Sequence, residues 1–294
     1  MSIASDIFRN NFKEFDDIRD AGLSTPENII RYDNILYGSD NEHQLLDVYR
    51  PNDMTGKVLP VIVSVHGGGW VYGDKERYQY YCMNLAQRGF AVVNFTYRLA
   101  PEYKYPASLE DTNLVFTWVL EHAVEYGFDK EHIFAVGDSA GGHNLGLYVA
   151  ACTNPEYAKQ YSFQIPEGFV PTAIALNSGI YIIDFENKED ILTQIVTEDF
   201  LPENGSVKEQ NLINVMEHVT TNYPPTFLMT ATGDAAKAQA PLLAAKLADC
   251  EIQFLYRYYG GNEKELGHVF HLNIRNENAK LCNDEECGFF QMFC

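Results

Sequence analysis

Residues 133–150 read IFAVGDSAGGHNLGLYVA. Through Val136 this is a short apolar run of strand type, and from Ala140 onward small and apolar residues recur at helical spacing. Ser139 sits at the seam, with Gly137 and Gly141 two residues to either side. Glycines at those positions make room for a sharp strand-to-helix turn that lifts a serine hydroxyl clear of a sheet. The same residues also suit a plain turn in which Ser139 only caps the helix. The rest of the chain has to decide between the two.

Upstream, residues 58–69 (VLPVIVSVHGGG) form a β-branched run ending in glycines, and 90–98 (FAVVNFTYR) form another. Between them lies a helical segment that stops at Gly89. Residues 28–38 and 44–51 read as an antiparallel pair joined by SDNEH. Ser108, with Asp111 three residues on, reads as the start of a helix through 114–124. Downstream come strands at 172–177, 225–232 and 251–259, a helix at 237–249 and a last helix over 273–282. Strands alternating with helices predict an α/β fold: a mostly parallel eight-stranded sheet with helices on both faces. Residues 179–222 break the rhythm and are expected to insert as a cap over a single domain spanning 1–294, joined by a helical segment within residues 1–30.

Formal charge is −20, from 41 acidic and 21 basic residues, which disfavours nucleic acid and anionic membrane surfaces as partners. The start of the chain has no apolar leader-like stretch, and no run is long enough to span a membrane. The six cysteines, including Cys282 and Cys287 in CNDEEC, lack a second cluster with ligand spacing, so they read as buried thiols rather than a metal site. Cytoplasm is the expected compartment, with no metal and no cofactor. Oligomeric state is not legible.

In a parallel sheet, ligands bind at the carboxyl ends of the strands. The residues just past those ends are HGGGW (66–70), GDSAG (137–141), Asp234, and the pair His268 and His271 in LGHVFH. A serine hydroxyl needs an imidazole to take its proton, and the imidazole needs a carboxylate to hold its tautomer. Asp184, Asp190 and Asp199 fall in the insert, so Asp234 is the better acid. Both histidines follow it. Gly267 favours His268 by placing it in a loop, whereas His271 reads as the start of the last helix.

With HGGGW, YRLAPE (97–102) and GDSAGG in this order, the chain resembles the hormone-sensitive-lipase-like branch of α/β-hydrolase carboxylesterases, from about residue 30 onward. The resemblance implies Ser139 as nucleophile, Asp234 as acid and His268 as base. It also implies an oxyanion hole from the N–H groups of Gly68, Gly69 and Ala140. Trp70 ends that loop and is a candidate pocket residue, as are Tyr181, Phe185 and Phe200 in the insert, which could equally form the cap's own core. The expected activity is hydrolysis of short-acyl carboxylic esters, small-molecule substrates being favoured because no apolar segment suited to a lipid interface is visible. A deacetylase of acetylated sugars would use the same machinery, and a non-catalytic ligand-binding member of the fold is the distant alternative.

Overall fold

The protein is described here by a computed structural model covering residues 1–261 and 265–294. Its strands are β1 (Ile29–Leu36), β2 (Leu45–Pro51), β3 (Leu59–Val65), β4 (Ala91–Phe95), β5 (Phe128–Asp138), β6 (Ala173–Asn177), β7 (Thr226–Ala231) and β8 (Phe254–Tyr259). They form one eight-stranded sheet in the order β1-β2-β4-β3-β5-β6-β7-β8. β2 runs antiparallel to both β1 and β4, and every pairing from β4 through β8 is parallel. After β3 the chain moves to one side for β4 and then to the other for β5, so a crevice opens at their carboxyl ends. Val65 pairs with Gly137 there, which sets the HGGGW loop beside the Ser139 turn.

The strands are apolar on both sides because helices cover both. Val61, Val63 and Val65 face one core together with Leu109, Leu145 and Leu243. Those leucines belong to α3 (Ala107–Glu121), α4 (Ala140–Thr153) and α5 (Gln239–Asp249), which follow α1 (Ile3–Asp20) and α2 (Lys75–Ala86) in the chain. Ile62, Val92 and Phe134 face the opposite core, closed by Tyr81 and Cys82 of α2 and by Phe289 and Phe290 of α6 (Glu277–Gln291). The last helix thus starts later and runs further than its sequence signals suggest, and its Cys282 and Cys287 are buried thiols. Ser108 does not cap α3: the helix begins at Ala107, and the Ser108 hydroxyl donates to Asn144 instead. Asp111 is taken up by Arg98 and Gln44, a charge-assisted contact that outcompetes capping.

Residues 179–222 hold a short helix (Ile191–Ile195) running into a π-turn (Val196–Phe200), then a helix over Val207–Leu212. α1 docks against this segment. Asp199 accepts the Ser2 N–H at 2.9 Å, the Ser2 hydroxyl at 2.7 Å and the Ser5 hydroxyl. Burial pushes that carboxyl up, but these donors outweigh it and hold it below its ordinary value. Midway along α1, Arg9 donates to the carbonyls of Val71 and Ala100. On the outer side of α1, Ile3, Ile7, Phe15 and Ile18 are exposed. The inner face of α1 is the one that Phe8 and Phe12 provide. Among the described residues, no helix is long and apolar enough to cross a membrane.

Two glycines test how tightly this packing is set. A Cβ on Gly141 of α4 would lie 2.1 Å from the Val65 carbonyl oxygen and 2.4 Å from that of His66. Gly141→Ala therefore drives helix and strand apart and is expected to cost about 3 kcal/mol or more. A Cβ on Gly288 of α6 meets nothing within 4 Å, so Gly288→Ala is expected to add about 0.5–1 kcal/mol through helix propensity. Urea midpoints measure both.

Candidate active site

Ser139 is held at φ 50°, ψ −120°, a conformation that L-residues avoid. Its N–H donates to the Asn177 carbonyl at 3.0 Å, and its own carbonyl accepts the His143 N–H at 3.1 Å. The turn is so tight that a Cβ on Gly137 would lie 2.6 Å from the Gly141 oxygen. These contacts explain why both flanking positions are glycine. The turn exposes the Ser139 hydroxyl to the crevice while leaving the residue 9% accessible.

The HGGGW loop crosses beside it. Gly68 has φ 116°, and a Cβ there would sit 2.0 Å from the Tyr72 oxygen, so only glycine fits. Among the described residues, the N–H groups of Gly68, Gly69 and Ala140 donate to no protein acceptor. The Ala140 N–H is also the first of α4, where the helix dipole favours negative charge.

His268 and Asp234 come from loops pinned to each other. Gly233 pairs with Gly267, and the Gly233 N–H donates to the Leu266 carbonyl at 2.9 Å. His268 Nδ1 lies 2.7 Å from Asp234 Oδ1, and His268 Nε2 lies 2.9 Å from Ser139 Oγ. Asp234 also accepts from the Thr230 hydroxyl and the Ala236 N–H, each at 2.8 Å. Burial alone would push this carboxyl up, but the His268 hydrogen bond and charge outweigh it and hold it below the ordinary carboxylate value. An ionised acceptor at Nδ1 keeps the proton on that nitrogen and leaves the Nε2 lone pair facing the serine. The arrangement can therefore draw the proton from Ser139.

His271 is elsewhere. It lies in a 3-10 turn (Phe270–Leu272), fully buried, with Tyr81 packed edge-on at 5.1 Å between ring centroids. Burial pushes its imidazole down to about 3, so it stays neutral. Of the two histidines the sequence left open, only His268 meets Ser139.

Two arms leave Ser139 and His268. One is narrow, with a volume of about 30 Å³, between α1 (Phe8, Phe12, Asp16, Arg19), the glycine loop, Tyr78, Asp138 and Leu272. None of its lining residues is exposed. The other is about 530 Å³, walled by Phe12, Ile180, Ile182, Ile183 and Leu192 and opening past the exposed Asn11 and Asn187.

Four sequence candidates, Trp70, Tyr181, Phe185 and Phe200, do not line these arms. Trp70 is buried beneath the loop, its indole N–H donating to His143 at 3.2 Å and its ring stacked on Phe200 at 5.1 Å. A positive φ of 63° turns it inward. Tyr181 is fully buried, its hydroxyl reaching the Leu176 carbonyl at 3.4 Å. Phe185 packs onto the core near Gly205 and Thr197. The insert's aromatics form its own core, and its isoleucines form the wall. Phe8 and Phe12 escaped sequence reading because nothing local says that α1 folds back over the sheet. Thr230 had one weak signal, its place on the same strand end as Asp234.

Two buried carboxyls lie behind the serine. Asp138 accepts from Tyr78, and Glu286 accepts from Tyr81 at 2.9 Å and Asn177 at 2.5 Å. Burial pushes each up to about 7 despite these donors.

Residues 46–247 match the BD-FAE family model. The chain belongs to the BD-FAE family. As a BD-FAE member it is 30% identical over 210 residues to Esterase LipC of Mycobacterium tuberculosis, covering 68% of this chain and 50% of that one. It is 27% identical over 221 residues to versiconal hemiacetal acetate esterase of Dothistroma septosporum, covering 69% and 65%. The chain thus spans about half the length of LipC and somewhat more of the fungal protein. Its backbone matches Esterase B of Lactobacillus rhamnosis with a TM-score of 0.88 at 23% identity, covering 97% of this chain and 93% of that one. The BD-FAE member has the α/β-hydrolase fold.

Two measurements check this site. His268→Ala is expected to slow labelling of Ser139 by a fluorophosphonate about 10²–10⁴-fold, and His271→Leu to leave it at the same order. The reverse pattern would exchange the two histidines. Because Asp138 and Glu286 keep their protons to higher pH when folded, they make stability fall as pH rises from about 4, where unfolded carboxyls ionise, to about 7. Glu286→Gln is expected to flatten that fall when unfolding is followed by urea at several pH values.

Proposed function

We propose that this chain is a serine carboxylesterase acting on short-acyl esters of apolar alcohols. The carrying observation is the chain of hydrogen bonds from Asp234 through His268 to Ser139, opening on two unequal arms. Ser139 Oγ attacks the ester carbonyl carbon as its proton passes to His268 Nε2. The carbonyl oxygen gains the negative charge and is held by the N–H groups of Gly68, Gly69 and Ala140. Collapse breaks the bond to the alkoxy oxygen, which takes the proton from His268 and leaves as alcohol. Water then repeats the sequence on the acyl-enzyme, releasing the carboxylic acid. α1 and residues 179–222 act as the cap.

The unequal volumes of the arms support placing the two halves of the substrate separately. The alcohol departs while the acyl group is still bound, so the wider arm suits it. The narrow arm then takes the acyl end in this reading, and about 30 Å³ holds a group of about two water-sized units, a methyl or ethyl tail. The name of the fungal relative, an acetate esterase, agrees in acyl size. An acetylated-sugar substrate is the second reading: Phe12, Ile180, Ile182, Ile183 and Leu192 favour an apolar alcohol, whereas Asn11, Asp184, Asn187, Asp190 and Gln239 at the same arm could meet hydroxyls. A small-molecule ester is the partner in this reading. A cytoplasmic site of action belongs to the same proposal and is supported by six unpaired cysteines.

Nitrophenyl esters of rising acyl length are expected to lose activity steeply from acetyl and butyryl to long chains, with acetylated xylan fragments poor. Leu272→Ala, which deepens the narrow arm, is expected to move the optimum toward longer acyl groups. Higher activity on emulsified long-chain triglyceride would overturn the substrate assignment, and absence of Ser139 labelling by fluorophosphonate would favour a non-catalytic binding role.

A further inference from the structure

We propose that Tyr78 is a positioning residue for the reaction, its phenol fixing the distance between the glycine loop and the turn that carries Ser139. The inference rests on the esterase reading above. Tyr78 lies in the first turn of α2, a helix otherwise occupied with the core on the far side of the sheet, and it is 5% exposed. Its oxygen stands 2.8 Å from the Gly67 nitrogen and 2.8 Å from Asp138 Oδ2.

The direction of both bonds follows from proton count. Gly67 can only donate through its N–H, so it occupies a lone pair of the phenol oxygen. The single phenol proton then goes to Asp138. Burial and the Asp138 charge push the Tyr78 phenol well above its ordinary value, so this proton stays in place through the neutral range. Gly67 is held from its other end as well, its carbonyl 2.7 Å from His66 Nδ1. The His66 ring in turn stacks on Tyr97 at 4.0 Å between centroids. One residue is thus clamped at its N–H and at its C=O by two buried side chains.

The contact leaves no slack. A Cβ on Gly67 would lie 2.6 Å from Asp138 Oδ2 and 3.0 Å from the Tyr78 oxygen. Gly68 and Gly69, whose N–H groups are assigned to the oxyanion, follow Gly67 directly, and Ser139 follows Asp138 directly. The Gly67–Tyr78–Asp138 bridge therefore joins the residue before the donors to the residue before the nucleophile. Movement of either strand end relative to the other has to break it. An oxyanion donor is effective only where the developing charge will lie, so a small drift acts on the transition state more than on bound substrate.

The experiment compares wild type with Tyr78→Phe, Asp138→Leu and a control, Tyr80→Phe, whose hydroxyl on the same helix donates to the Leu23 carbonyl. Active sites are counted by fluorophosphonate titration, so that loss of folded protein is separated from loss of rate. Per titrated site, Tyr78→Phe is expected to lower kcat on nitrophenyl acetate about 10- to 100-fold with KM changed less than about twofold. Affinity for a trifluoromethyl ketone, which forms a tetrahedral oxyanion adduct with the serine, is expected to weaken by the same factor as kcat/KM. Asp138→Leu reproduces the loss, and Tyr80→Phe matches wild type. A kcat per titrated site within about twofold of wild type, with only Tm or the titratable fraction reduced, would show a packing role and overturn the proposal. If wild type hydrolyses no ester, the esterase reading fails, and the relative phosphonylation rates of wild type and Tyr78→Phe still decide the role of Tyr78.

Discussion

The backbone of Ser139 carries the constraint on which the rest depends. A non-glycine residue at φ 50° persists only if its surroundings hold it there. The hold comes from three directions: the Asn177 carbonyl of the neighbouring strand, the first turn of α4, and the near-contact of Gly141 with the end of β3. The first requires the parallel register that sets Asp138 opposite Asn177, and the last the one that sets Val65 opposite Gly137. The sheet order, the two core layers and the glycine positions can all be read as conditions for keeping that one turn in place.

Electrostatics around the turn are divided between two sides. Toward the crevice, Asp234 is supplied with enough donors to stay ionised despite its burial, and it orients His268. Behind the turn, Asp138 and Glu286 are buried among neutral donors and keep their protons far longer. Unpaired negative charge behind the turn would oppose any negative charge developing in the crevice, and these two groups are the ones whose charge the interior suppresses. The same division separates His268, at the edge of solvent, from His271, which burial keeps neutral.

Much of this was legible along the chain because it is local. Alternating strand and helix patterns announced the eight-stranded sheet, and glycine spacing around Ser139 and after His66 announced two tight turns at strand ends. Asp234 was legible from its place after a strand. What misled were features whose meaning depends on distant partners. Ser108 and Asp111 have the spacing of a cap, yet Arg98 and Asn144 take them over. Trp70, Tyr181 and Phe185 have the character of pocket residues, yet the apolar cores nearest them absorb all three.

By itself, the sequence determined the fold class, the candidate nucleophile and the set of groups that could activate it, because turn geometry and periodicity are written in neighbouring residues. The sequence favoured His268 over His271, but only the tertiary structure separated them outright, since just Val269 and Phe270 stand between a ring at hydrogen-bond distance and one sealed in the core. It alone also shaped the two arms. Their walls come from α1 at one end of the chain, the insert in its middle and the loops after β7 and β8. No local pattern records that α1 returns to cover the crevice, because that contact is held by Asp199, nearly two hundred residues away.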